Sequence, residues 1–124
     1  MANELILIVD DNPKNLKLVR DTLQVKGYQT IEAGTGEEGV RLARERRPAL
    51  VLMDIQLPGI SGITAFRQIR DDPATATIPV IAVTASAMAQ DRQKIMAAGF
   101  DGFQGKPISV RELLETIRQI LGTS

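Results

Sequence analysis

Three short runs of uninterrupted apolar residues, Leu5-Ile6-Leu7-Ile8-Val9, Leu50-Val51-Leu52-Met53 and Val80-Ile81-Ala82-Val83, most constrain how this chain can fold. Each is the length of a strand, each is followed by polar residues, and segments with helical periodicity lie between them. A run apolar on both of its alternating faces must be buried on both, as in the middle of a parallel sheet. Gln29-Thr30-Ile31-Glu32 is a fourth run, partly polar and suited to an edge. Asp101-Gly102-Phe103-Gln104 is a fifth, weak in composition and placed by the rhythm of the repeat and by Phe103. Five βα units with short connections imply an α/β fold: a five-stranded parallel sheet, doubly wound, with helices on both faces.

Helix punctuation supports that division. Asn12 caps a first helix with Pro13 in its first turn, Leu16, Val19 and Leu23 form its buried stripe, and Gly27 follows its end. Thr35-x-x-Glu38 and Ser109-x-x-Glu112 are capping-box patterns for the second and fifth helices. The third helix runs from Gly62 to Arg70, with Ile63, Phe66 and Ile69 inward, and breaks at Asp71-Asp72-Pro73. The fifth carries the clearest stripe: Val110, Leu113, Leu114, Ile117, Ile120 and Leu121. The fourth, Met88 to Ala98, is nearly all polar between Ala89 and Ile95, a thin stripe that suits a movable element. Met88 and Met96 read as core gap-fillers. Arg41, Arg44, Arg46 and Arg47 read as a solvated face paired with Glu37, Glu38 and Glu45.

A length of 124 residues gives one domain, 1–124, with one core. Lys+Arg and Asp+Glu balance at 15 each, so no net field favours direct nucleic-acid binding. Without cysteine there is no disulfide framework and no thiolate metal site. The opening Met-Ala-Asn-Glu lacks the features of a signal peptide, and no apolar run approaches membrane-spanning length. A cytoplasmic location without membrane association is the resulting expectation.

In a doubly wound sheet, ligand chemistry belongs at the carboxyl ends of the strands, near the switch in strand order. Asp10 and Asp11 follow the first run, Asp54 the third and Thr84 the fourth, while Lys106-Pro107 lies just beyond the fifth. Converging carboxylates repel, so they either raise a pKa or hold a cation. All-oxygen ligands point to a hard ion, Mg²⁺ first and Mn²⁺ as an alternative. With the acids neutralised, the Asp54 carboxylate is placed to attack a phosphoryl donor and form an acyl phosphate. Lys106 then supplies a point charge, and Thr84 hydrogen-bonds the phosphoryl oxygens.

Singly, each fragment has a plainer account: Asp10-Asp11-Asn12 as a helix N-terminus, Thr84 as a strand residue, Lys106 as a solvated side chain. Together they are far more specific. Ile8-Val9-Asp10-Asp11-Asn12, Leu52-Met53-Asp54-Ile55-Gln56-Leu57-Pro58-Gly59, Val83-Thr84-Ala85 and Lys106-Pro107 make the chain resemble, over essentially its whole length, the receiver domain of a two-component response regulator. The resemblance implies a CheY-like, flavodoxin-like strand order 2-1-3-4-5. It implies Asp54 as phosphoacceptor, Asp11 as a direct metal ligand, Asp10 as a ligand acting mainly through water, and the backbone carbonyl of Gln56 as a further ligand. It also implies Thr84 and Phe103 as switch residues, Phe103 without the hydroxyl of the tyrosine often found there, and a cis Lys106-Pro107 bond.

The implied partners are a histidine kinase or histidine phosphotransfer protein as donor, since the chain has no His, and a downstream protein target on the face of helix four, strand five and helix five. Phrases such as Thr84-Ala85-Ser86-Ala87-Met88 and Lys106-Pro107-Ile108-Ser109 lean towards single-domain regulators of the DivK type and the receivers of hybrid kinases. Met1 and the end after Leu121 favour a stand-alone regulator without an output domain; a receiver excised from a hybrid kinase or larger regulator is the alternative.

Other functions fit less well. A flavin or nucleotide binder needs a Gly/Ser/Thr-rich phosphate loop where this chain has Asp-Asp-Asn-Pro. A haloacid-dehalogenase-type phosphatase needs a second acid where Gln56 stands, so this chain is not expected to be a turnover enzyme. A degenerate receiver acting as a phosphorylation-independent interaction module would lack one of the acids or the lysine, and all are present.

Overall fold

The structure, a computed structural model, describes residues 3–85 and 89–122, the side chains of 89–91 apart. Five parallel strands, β1 (Leu5–Val9), β2 (Gln29–Ala33), β3 (Leu50–Asp54), β4 (Val80–Thr84) and β5 (Gly102–Gly105), form one sheet in the order β2-β1-β3-β4-β5. They alternate with α1 (Pro13–Val25), α2 (Gly36–Arg46), α3 (Gly62–Asp71), α4 (Ala89–Ala97) and α5 (Val110–Leu121). The expected doubly wound sheet and its strand order are both present.

Strand alternation divides the core in two. Leu7, Val9, Val51, Met53, Val80 and Ala82 face α2, α3 and α4, meeting Val40, Ala43, Phe66, Ile69 and Ile95. Ile6, Ile8, Leu50, Leu52, Ile81 and Val83 face the other way, onto Val19 and Leu23 of α1 and Leu113 and Ile117 of α5. Strands β1, β3 and β4 are therefore apolar on both faces, whereas the edge strand β2 keeps Gln29 exposed and Thr30, Ile31 and Glu32 half-buried.

The caps form where the sequence places them. Asn12 accepts from the Lys14 amide, Thr35 from the Glu38 amide and Ser109 from the Glu112 amide. Ser61, which the sequence reading passed over, caps α3 by accepting from the Thr64 amide.

Some details differ from the sequence expectation. Strand β5 begins one residue late: Asp101 leads into it, its amide donating to the Val80 carbonyl at 2.9 Å while its carboxylate accepts from the Val80 amide and from Arg70. Val110 is 37% exposed, since it is the first residue of α5, a turn before the first buried residue, Leu113. Met96 is no gap-filler: Ile95 occupies the core-facing slot of α4, and its neighbour, about 100° round the helix, stands 45% exposed. Met88 lies outside the described residues. Arg41 pairs with Glu45 as the helical spacing suggests, but Arg44 reaches Asp72 at the end of α3, at 2.8 Å.

Candidate functional site

The register fixes the site. Val9 lies opposite Met53 and Ala33, so the residues that follow, Asp10 and Asp54, emerge side by side at the carboxyl edge, where the chain order reverses between β1 and β3. The Asp10 amide continues the ladder by donating to the Ala33 carbonyl at 3.0 Å. Asp54 is opposite Val83, and Thr84 is opposite Gly105, which delivers Lys106 to the same rim.

Asp10 and Asp54 are buried, Asp54 to 2% exposure, and Asp11 is exposed. One carboxylate oxygen from each lies within 4.8 Å of those of the other two, close enough to share one ion. The Lys106 ammonium donates to Asp54 Oδ2 at 2.8 Å and sits 3.5 Å from Asp10 Oδ2. Asp54 Oδ1 accepts from the Gln56 amide at 2.9 Å, and Asp10 Oδ1 from the Asn12 amide at 2.9 Å. Each buried acid therefore has one oxygen pinned by backbone two residues on and the other directed at the lysine. Thr84 is buried beside them, its carbonyl accepting from the Lys106 amide at 2.9 Å, and the Lys106-Pro107 peptide bond is cis.

The electrostatics follow from this crowding. Burial, the main cause, raises the Asp10 carboxyl above the usual carboxylate range; the Asn12 amide and Lys106 oppose it, and the Asp54 charge adds to it. Burial alone would lower the Lys106 ammonium, but the hydrogen bond to Asp54 and the charges of Asp10 and Asp54 outweigh it and leave the pKa raised. Two buried acids, one exposed acid and a single ammonium leave an excess of negative charge, and the donors are all oxygen. That set fits a hard divalent cation.

Three residues that sequence reading did not single out complete the surroundings. Asn15 reaches Asp10 Oδ2 at 3.4 Å from α1. Gly62, seen before only as the start of a helix, packs against the Asp54-Ile55 peptide so closely that a methyl group on it would stand 2.1 Å from the Asp54 carbonyl oxygen. Its amide donates to Ile55 O at 3.0 Å, closing the loop that carries Gln56. Arg92 of α4 places its guanidinium 5.1 Å from the centroid of the half-buried Phe103 ring. The small pair Ser61-Gly62 at a helix start was the one sequence signal available for Gly62; nothing in the sequence joins Arg92 to Phe103.

A sheet of order 2-1-3-4-5 with clustered acids at its switch point and a lysine reaching in from beyond β5 defines a class, and comparison with known proteins agrees. Residues 6–118 match the response regulator receiver domain, and the chain belongs to that family, a family of signalling proteins. It is 48% identical over 117 residues to the polar-differentiation response regulator DivK of Brucella anthropi, covering 94% of this chain and 95% of that one. Among solved structures it is similar to the receiver domain of the sensor histidine kinase PA1611 from Pseudomonas aeruginosa PAO1, which has a magnesium ion coordinated in its active-site cleft. The identity is 34%, the TM-score 0.89, and the coverage 98% and 99% of the two chains. A CheY-like receiver domain protein from Methanospirillum hungatei JF-1 is 30% identical with a TM-score of 0.88, covering 98% of this chain and 95% of that one. Among the described residues, no helix is long and apolar enough to cross a membrane.

Proposed function

We propose that the chain is a single receiver domain, residues 1–124, that takes a phosphoryl group onto Asp54 from a phosphohistidine of a partner kinase or phosphotransfer protein and relays that state to a downstream protein. One observation carries the reading: the buried Asp54 carboxylate lies 2.8 Å from the Lys106 ammonium within a cluster of three acids whose oxygens fall within 4.8 Å of one another. A carboxylate so surrounded is oriented, lacks solvent to compete for it, and has a cation ready for incoming phosphoryl charge.

Asp10, Asp11, Asp54 and the Gln56 backbone carbonyl are the groups that hold Mg²⁺ in this reading. The ion supplies neutralisation of the acids and of the phosphoryl oxygens as the donor approaches. An Asp54 oxygen forms the new bond to phosphorus as the nitrogen–phosphorus bond of the donor breaks, and its electron pair returns to the imidazole. Lys106 moves its ammonium from the free carboxylate to the phosphoryl oxygens, and the Thr84 hydroxyl donates to another of them. Thr84 and Phe103 lie on the same face of the sheet, because Phe103 is opposite Ala82, two residues before Thr84. A shift of Thr84 towards the phosphoryl group therefore opens room for the Phe103 ring and alters the face of α4, β5 and α5 where the target binds. The domain assists its own phosphorylation and dephosphorylation and turns over no external substrate.

The test is incubation with Mg²⁺ and acetyl phosphate, followed by intact mass. One phosphoryl increment, abolished by chelator and by Asp54→Ala, is the expected result. An unchanged mass, together with no response to beryllofluoride, would replace the phosphoacceptor reading with a phosphorylation-independent interaction module. Thr84→Ala is expected to keep the mass increment while weakening the response of a partner.

A further inference from the structure

The three phenylalanines have unlike surroundings. Phe66 and Phe100 stack inside the core, centroids 3.9 Å apart and planes 19° from parallel. Phe103 is half-buried on the edge strand β5, where it borders a groove of about 280 Å³ between α4 and α5. Arg92 lines the α4 side of that groove and covers the ring at 5.1 Å, inside the range of a cation–π attraction. Glu112 and Glu115 of α5 line the same groove. A phenylalanine has no hydroxyl by which to be held, so whatever holds this ring must act on its face or its edge. Among the described side chains of helix α4, Arg92 to Ala97, Ile95 alone is buried. The Arg92–Phe103 contact thus joins α4 to β5 beside Ile95.

We propose that Arg92 is a latch on the switch: seated on Phe103, its guanidinium holds the ring half-exposed and α4 in place, and it must release when the ring turns towards Thr84. This rests on the reading of Asp54 as the phosphoacceptor. The groove gives the ring and the arginine room to separate, and Glu112 and Glu115 give the released guanidinium an acidic surface to move to. The unphosphorylated state is then favoured by an interaction that the phosphorylated state lacks. For any ligand that selects the phosphorylated form, the apparent affinity is the intrinsic affinity multiplied by the fraction of molecules that are unlatched, so the latch weakens binding and its removal tightens it.

The probe is beryllofluoride with saturating Mg²⁺, its dissociation constant measured by calorimetry on the full chain. Arg92→Gln is expected to tighten binding by about 2- to 5-fold, the range of one exposed cation–π contact, with Arg92→Lys falling between. That sign is opposite to the effect of simply removing a positive charge near an anion site. In a Phe103→Leu background the gain from Arg92→Gln is expected to vanish, and in wild type the Phe103 ring resonances are expected to shift when Arg92 is replaced. Unchanged or weaker binding by Arg92→Gln, or an equal gain in the Phe103→Leu background, would overturn the latch and leave Asp54 as phosphoacceptor intact. No binding by wild type, or equal binding by Asp54→Asn, would overturn the phosphoacceptor reading and the latch with it.

Discussion

Gly62→Ala tests how tightly the backbone around Asp54 is held. The added methyl group would meet Asp54 O at 2.1 Å and both Asp54 C and Ile55 Cα at 2.8 Å. Non-bonded heavy atoms settle at about 3.5 Å, so one of the parts must yield by roughly 1 Å. Helix α3 resists through buried Ala65, Phe66 and Ile69 and its Ser61 cap. The strand end resists through Ile55 N on Val83 O at 2.9 Å and Gln56 N on Asp54 Oδ1 at 2.9 Å. The Asp54-Ile55 peptide is the contact that the methyl group strikes, so a shift of the strand end carries the Asp54 carboxylate and the Gln56 carbonyl with it. Overpacking of this kind costs about 1–3 kcal/mol, which lowers the melting temperature by roughly 4–15 °C in a domain of this size. A misplacement near 1 Å at a reacting group costs on the order of 100-fold in rate. The assay is the rate of Asp54 phosphorylation by acetyl phosphate, followed by intact mass at a temperature where circular dichroism shows the variant fully folded. Gly34→Ala is the control, since nothing lies within 4 Å of a methyl group there, and it should leave rate and melting temperature nearly unchanged. A Gly62→Ala protein that melts lower but reacts at the wild-type rate would refute the claim that this contact positions Asp54.

Three further perturbations separate the site from its scaffold. The Asp10 carboxyl has a folded pKa raised above 3.8, mainly by burial, so its contribution to stability is complete below that pH and is lost as pH rises through the folded value. In chelator at pH 7, Asp10→Asn should therefore melt higher than wild type, the difference closing below about pH 4; a lower melting temperature at pH 7 would contradict this. Lys106→Met should cost about 1–3 kcal/mol in metal-free urea unfolding at pH 7, because it leaves the buried Asp54 without its cation. The raised Lys106 pKa makes that contribution fully present below 10.5 and lost as pH rises through the folded value, so the difference between variant and wild type should shrink above pH 10.5. Arg70 donates to Ile78 O at 2.5 Å and Asp101 Oδ2 at 2.6 Å, and lies 4.8 Å from the Phe66 centroid. Arg70→Gln should cost roughly 2–3 kcal/mol in the same unfolding assay while leaving Mg²⁺ affinity, measured by calorimetry, unchanged.

What the sequence disclosed and what it withheld divide along a physical line. Strands β1, β3 and β4 were legible because burial on both faces leaves no polar position to disguise the run. Asp10, Asp11, Asp54, Thr84 and Lys106 could be grouped because each lies at or just beyond a strand end, and a parallel sheet brings those ends to one rim. The pairs that escaped are those between elements distant in sequence. Arg44 with Asp72, Arg70 with Asp101 and Arg92 with Phe103 join helix surfaces to loops or strands many residues away, and periodicity shows only partners three or four apart. The close approach of Gly62 to Asp54 escaped for the same reason, since a missing side chain leaves no mark in the sequence until the backbone it admits is known.

The sign of a stability change becomes a guide to role in such a fold. Burial of Val9 and Met53 in adjacent strands forces Asp10 and Asp54 together, so the apolar core sustains a repulsion that the unfolded chain does not have. A cation that binds the folded acids relieves that repulsion and adds stability as its concentration rises above its dissociation constant. Replacing Asp10, the acid that burial holds protonated more readily, then stabilises the metal-free protein and reduces what the cation can add, whereas truncating Phe66 or Leu113 destabilises both forms alike. Melting each variant with and without Mg²⁺ therefore distinguishes the residues that build the sheet from those the sheet was built to crowd, without any assay of phosphorylation.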